Sequence, residues 1–408
     1  MPASPDNPLW PAFAARTGWD LRENDWAAAV RARGGAAWDL TVTNPTAVGL
    51  AYPRERILAA LASPQALAYH PTARGAVPAR AAVADYYAAR GAAVSSGQIL
   101  LTTGTSEAYA HLFRLLANPG DRLHVPSPSY PLLDHLAAIH DLDLVPYPLW
   151  HAGAWQLDAA ELERTLTPRS RAVVVIHPNN PTGSYLSAEE WALLLALAAR
   201  HGLAIIADEV FFEYPWDPTS VPLDLATAVP EAGPPVFLLS GLSKLSALPQ
   251  MKLGWLAALG AAGAANWRQQ ALARLEVVAD AYLSVGAPVQ AAAAELLAVR
   301  QVTQPQVLAR VRANLATLDA ALAGQSWVSR LSAAGGWMAV LRLPAWRSGE
   351  AWAEVLLAAG VLAHPGEFYG FAGGLSAGAH LVVSLLTPEA QWAEGIGRLL
   401  ACVVRAGG

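Results

Sequence analysis

Two lysines, Lys244 and Lys252, stand eight positions apart in the stretch Ser240 to Trp255, and they are the only lysines in a chain of 408 residues that carries 25 arginines. The difference is chemical. An ammonium group can lose its proton and attack a carbonyl carbon, whereas a guanidinium stays charged at any working pH. Lys244 is therefore the candidate nucleophile. It follows the apolar run Pro235 to Leu239 and the small residues Ser240, Gly241 and Ser243, a pattern that predicts a buried strand ending in a tight loop. A lysine there is costly unless it is neutral or covalently used.

Three further features sit at comparable places. Asp208 follows five apolar residues, Leu203 to Ala207, and a carboxylate at the end of a buried strand needs a cation or several donors. His177-Pro178-Asn179-Asn180-Pro181-Thr182-Gly183 follows the β-branched run Arg171 to Ile176. Gly104-Thr105-Ser106-Glu107 follows a predicted strand over 98–103 and opens a helix, a turn whose free backbone N–H groups suit a phosphate. Each also has a plain structural explanation: a surface charge, a helix cap or a tight Asn-Pro turn. Their joint pattern is harder to explain that way.

The elements that must position these groups alternate. Helices are predicted over 53–66, 76–90, 105–117 and 130–139, and strands over 122–126, 171–176, 203–207 and 236–240. Ser187 with Glu190 forms a capping box for a helix to Arg200, which Gly202 stops. Repeated strand–helix–strand units imply an α/β protein with a mostly parallel central sheet, helices on both faces and a binding edge at the strand carboxyl ends. Past residue 262 come long Ala- and Leu-rich helices up to Leu322. A strand-rich piece around Trp337 to Leu343 and Leu381 to Leu386 then predicts a smaller α+β domain. The expected division is an N-terminal arm over 1–45 packing with the small domain, a large domain over 46–285 and a small C-terminal domain over 286–408.

A net charge of −5 gives no basic footprint for nucleic acid or an anionic membrane. The single cysteine, Cys402, excludes an internal disulfide and a thiolate metal cluster. The ten histidines show no paired metal spacing, and His364 and His380 read as packed core residues. No signal peptide or spanning segment is expected, so the predicted location is cytoplasmic. There is no dinucleotide or P-loop glycine motif, and Gly241-Leu242-Ser243-Lys244-Leu245 lacks the closing glycine of a serine-hydrolase elbow.

Taken together, the motifs resemble the class I/II aminotransferase family of fold-type I pyridoxal-phosphate enzymes. They run in order from Asn44-Pro45-Thr46 through Tyr69, Gly104-Thr105-Ser106, Pro128-Ser129-Tyr130, Asn180-Pro181-Thr182-Gly183, Asp208-Glu209 and Ser243-Lys244 to Lys252-x-Gly254. The resemblance implies that Lys244 bonds to the cofactor aldehyde and moves the proton, and that Asp208 keeps the pyridine nitrogen protonated. It further implies that Asn180 donates to the ring hydroxyl and Tyr130 covers the ring face. The phosphate falls to the Thr105 and Ser106 amides, Ser243, Lys252 and, from a partner subunit, a tyrosine at position 69, which implies a homodimer. The implied substrates are an amino donor and a 2-oxo acid.

Three departures follow from the same resemblance. Lys252 stands where most members place arginine. Phe211 stands where a tyrosine usually gives the ring hydroxyl a second donor, which predicts a raised pKa for the lysine–cofactor bond. Val382 stands where the arginine for the substrate carboxylate is expected, two residues before Ser384. Either Arg74 or Arg80 replaces it, with Asn44 contributing an amide, or the substrate is not held by an α-carboxylate. In the second case, Tyr130, Phe211 and Phe212 would make an apolar pocket for uncharged or amine substrates. A lyase or decarboxylase on the same cofactor, and a non-catalytic pyridoxal-phosphate binder, are the alternative readings.

Overall fold

The computed structural model describes residues 13–261, 266–371 and 378–407. Its strands are, in chain order, β1 (Trp38–Asp39), β2 (Ile99–Thr102), β3 (Arg122–Ser127), β4 (Asp143–His151), β5 (Trp155–Leu157), β6 (Ser170–Ile176) and β7 (Ala204–Asp208). There follow β8 (Val236–Gly241), β9 (Gly254–Leu259), β10 (Ser329–Arg330), β11 (Met338–Leu343), β12 (Val361–Leu362), β13 (His364–Pro365) and β14 (Ala379–Ser384).

Eight of them form one sheet in the order β2-β9-β8-β7-β6-β3-β4-β5. From β8 to β4 all pairings are parallel. β9 runs antiparallel to both β2 and β8, and β5 antiparallel to β4. The expected mostly parallel sheet is present. The pair β4–β5 and the reversed strand β9 were not foreseen, because β4 carries two prolines and β9 follows a loop whose lysine and glycines suggest only a turn.

Side-chain alternation explains why the inner strands are apolar throughout. Val173, Val175, Ile205, Leu238 and Trp255 point into a core shared with the helices Val77–Ala89 and Ala188–His201. Their neighbours Ala172, Val174, Ile206, Phe237 and Leu256 point into a second core beneath Thr105–Leu116 and Trp267–Asp280. A sheet covered on both faces has no solvent side to mark with polar residues. The predicted capping box is formed: Glu190 N–H donates to Ser187 Oγ at 3.1 Å and Ser187 N–H to Glu190 Oε2 at 2.7 Å, and Gly202 ends the helix at φ 65°.

The smaller sheet has the order β10-β11-β14-β13. β1 pairs in parallel with β12, so the segment after residue 37 is fastened beside it, and Leu40 enters the third core together with Trp337, Trp352 and Trp392. The helices Ala287–Ala291 and Ala293–Ala298 pack with the early helices around residues 54–89. Segment 130–139 begins its helix at Leu132, and 53–66 divides into Arg54–Leu61 and a 3-10 turn over Pro64–Leu67.

Candidate active site

Register brings the chemistry to one edge. Ile176, Asp208 and Leu239 stand side by side across β6, β7 and β8, and Gly241, Gly254 and Thr102 do so across β8, β9 and β2. The segments leaving these positions carry Asn180, Asp208, Ser243, Lys244 and Thr105, and all five line one cavity of about 400 Å³. The approach is close enough to demand glycine. A Cβ on Gly254 would lie 2.8 Å from Gly104 Cα, and one on Gly241 3.0 Å from Gly254 Cα.

Asp208 is buried and held from two sides. The Val210 N–H donates to Oδ1 at 3.0 Å and the Tyr109 hydroxyl to Oδ2 at 3.2 Å. Burial pushes its pKa up to about 6, against the opposing effects of those two donors and of Lys244. Lys244 is pushed down to about 8 by burial, with Asp208 acting the other way. Among the described residues no ion pair ties up its ammonium. Instead Nζ lies 5.0 Å from the Trp337 ring centre and 5.5 Å from that of Phe211. The backbone that carries it is fixed by Tyr214, whose hydroxyl donates to the Lys244 carbonyl at 2.6 Å, and by Gln304, which donates to Leu245 O at 3.0 Å.

Behind Asp208 lies a buried ionic cluster. Arg90 makes two bonds to Asp224, at 2.6 and 2.8 Å, reaches Glu209 at 3.2 Å and stacks over the Phe212 ring at 4.0 Å. Burial pushes Glu209 up to about 7, with Arg90 opposing it. Phe212 also stacks on His177, whose Nε2–H donates to Leu223 O while Nδ1 accepts from Leu186 N–H. This arrangement corrects one expectation, since Phe212 belongs to the cluster and not to the cavity wall.

Tyr130 and Phe211 line the cavity. Ser106 occupies the exposed first turn beside Thr105. Lys252 has a left-handed backbone, φ 51°, and its Nζ lies 3.9 Å from where a Gly104 Cβ would stand. Tyr69 is 78% exposed and lines a separate cleft with Leu283 and Ser284.

Three substrate expectations are corrected. Asn44 Oδ1 accepts from the Thr46 N–H and hydroxyl as the cap of a 3-10 turn, leaving Thr43 to line the cavity. Arg74 is turned to Gly97 O and Ile99 O, and Arg80 to Gly75 O and Ser96 O. Both cations are committed to their own subunit's backbone and neither lines the cavity. His364 reaches the cavity, where a core position was expected. His380 is buried, stacked on Phe371.

The residues sequence reasoning missed are Tyr109, Trp337, Met338 and Tyr369, all cavity-lining. Tyr109 carries a usable signal: it lies four positions after Thr105, one helical turn on, and so on the same face of the helix. The walls from β11 and the turn after β13 carry none, because only chain packing brings them opposite β7.

The donor set fits pyridoxal phosphate. A poised amine, a carboxylate and the Asn180 amide, whose Oδ1 is buried without a partner, converge on one space, with a helix N-terminus and Lys252 at its end.

Comparison with known proteins gives the family. The family model described as aminotransferase class I and II matches residues 40–394. The glutamate-pyruvate aminotransferase AlaA of Escherichia coli K12 is 29% identical over 218 residues, 53% of this chain and 53% of that protein. The alanine aminotransferase of Mycobacterium tuberculosis H37Rv is 32% identical over 239 residues, 57% and 54%. The chain thus spans about half the length of these relatives. Among solved structures, an alanine aminotransferase from Pyrococcus furiosus superposes with a TM-score of 0.82 at 20% identity, covering 93% of this chain and 95% of that one. An Escherichia coli aminotransferase gives 0.82 at 23%, covering 97% and 98%. These two likenesses establish the fold. With a family match spanning most of its length, the chain belongs to the class I and II aminotransferases.

Proposed function

We propose that the protein is a pyridoxal-phosphate-dependent aminotransferase that moves an amino group between an amino donor and a 2-oxo acid, with Lys244 and Asp208 as its catalytic pair and an atypical site at Val382. The observation that carries this reading is the burial of a lysine and an aspartate in one cavity, at the ends of neighbouring strands, with the lysine outside any ion pair among the described residues.

When bound, the cofactor supplies an aldehyde for an amine and a ring that draws electrons from the substrate carbon. Lys244 Nζ, whose pKa burial lowers to about 8, would be the amine that holds the cofactor through that aldehyde. The same nitrogen would take the proton from the substrate's amine-bearing carbon. Asp208, its charge supported by Tyr109 and Val210, would pair with the protonated ring nitrogen. Asn180 would serve the ring hydroxyl and Tyr130 the ring itself. The Thr105 and Ser106 N–H groups, Ser243 and Lys252 would hold the phosphate.

A homodimer accompanies this reading. The exposed Leu67, Tyr69 and Tyr282, together with the cleft between residues 69–75 and 279–287, support an apolar contact that would let the partner's Tyr69 complete the phosphate site. Among the described residues no helix is long and apolar enough to cross a membrane, and the sequence suits the cytoplasm.

Borohydride reduction followed by peptide mapping tests the assignment. The cofactor should be fixed on the Lys244 peptide, and amino donors should bleach the unreduced chromophore. Fixation elsewhere, or a Lys244→Ala variant with full turnover, would sink it.

A further inference from the structure

We infer that the donor substrate carries a neutral polar substituent beside its amino-bearing carbon, in place of a carboxylate, and that His364 and Tyr369 receive it. This rests on the aminotransferase reading proposed above.

The register of the small sheet sets the geometry. Val382 on β14 stands opposite Val340 of β11 on one side and His364 of β13 on the other. Directly opposed residues of antiparallel strands share a face, so Val340, Val382 and His364 form one row. Val382 is fully buried in an apolar cluster with Leu331, Met338, Val340 and Tyr369. Of the row, only His364 reaches the cavity, and Tyr369 lines it beside His364. The hydrogen-bonding group has therefore moved one strand sideways from the position where the carboxylate arginine is expected.

It has also changed character. His364 Nδ1 and the Tyr369 hydroxyl are 3.1 Å apart, and the other groups facing His364 are Asp39 and the rings of Trp26 and Phe368. Burial holds the imidazole below its usual pKa and the phenol above its own, so both are neutral near pH 7. All 25 arginines fall within the described residues, and none lines the cavity. A carboxylate placed here would be desolvated without a cation from this subunit, whereas a hydroxyl or amide finds a donor and an acceptor. Leu132, Leu133, Ile176 and Trp337 supply apolar wall for the rest of the molecule. The class is thus a primary amine with a hydroxymethyl or carboxamide group at its amino-bearing carbon and an apolar remainder. In the donor half-reaction that carbon loses a proton and its nitrogen. The nitrogen and two electrons pass to the bound cofactor, one water is consumed, and the donor leaves as the corresponding carbonyl compound.

The test is single-turnover bleaching of the holoenzyme chromophore by four matched donors: phenylalanine, phenylalaninol, phenylalaninamide and phenethylamine. Phenylalaninol and phenylalaninamide should react at least ~10-fold faster than phenylalanine per unit concentration. Tyr369→Phe, and separately His364→Leu, should lower the phenylalaninol-to-phenethylamine rate ratio by about tenfold, the loss of one hydrogen bond. Phenylalanine reacting fastest, or variants that slow all four donors alike, would overturn the inference and leave the aminotransferase reading standing. No bleaching by any donor, with the cofactor still reducible onto Lys244, would overturn both.

Discussion

The Tyr109 hydroxyl donates to Asp208 Oδ2 across 3.2 Å, joining the second turn of the helix after β2 to the end of β7. With the Val210 N–H it keeps a buried carboxylate charged. Tyr109→Phe removes that donor without opening a large cavity. A hydrogen bond to a charged group is worth about 1.5–3 kcal/mol, so affinity for pyridoxal phosphate should fall roughly 10-fold or more. Fluorescence titration of the cofactor-free protein measures it, and an unchanged Kd would remove Tyr109 from the site's support.

Lys244 predicts a pH dependence of stability in the cofactor-free protein. Its folded pKa, about 8, lies below the ordinary lysine value of 10.5, so between these values the unfolded chain binds more protons and stability from this group rises with pH. The cost is fully present below pH 8 and gone above the ordinary lysine pKa. Lys244→Met should therefore stabilise the cofactor-free protein at pH 7 by on the order of 3 kcal/mol. Urea unfolding at pH 7 and pH 10.5 checks both the gain and its disappearance.

Arg90 neutralises Asp224 and Glu209 inside the protein. Arg90→Met strands the buried Glu209 and the half-buried Asp224, a loss of about 3–5 kcal/mol. Arg90→Lys should recover only part of it, since a single ammonium cannot reproduce the two-pronged contact with Asp224. Thermal and urea midpoints of the three proteins decide this.

Phe211 has no hydroxyl to offer the cavity it lines. Phe211→Tyr should lower the pKa of the bound chromophore by on the order of one unit, the effect of one added hydrogen bond. An absorbance titration reads the direction, and a rise would mean the new hydroxyl points elsewhere.

Gly254 packs against Gly104, so Gly254→Ala must push the phosphate-side turn away from Lys252. Cofactor affinity should drop while the far-ultraviolet circular dichroism stays unchanged. Retained affinity would show that the turn yields without harm.

The sequence by itself determined the framework and the anchored groups. Asp208, Lys244 and Thr105 are legible because each follows an apolar run or a small-residue turn, and Asn180 because it lies in the Asn-Pro turn after such a run, and strand ends in an alternating α/β chain meet at one edge whatever the details. Ser187 with Glu190 was legible because capping is a local hydrogen-bond exchange. Only the tertiary structure decided the rest. That Arg74 and Asn44 serve their own backbone, that Tyr109 reaches Asp208, and that Val382 is sealed while His364 opens onto the cavity all depend on which strands neighbour one another and in what register. Those pairings join residues far apart in the chain, and side-chain spacing along one segment carries no record of what packs against it.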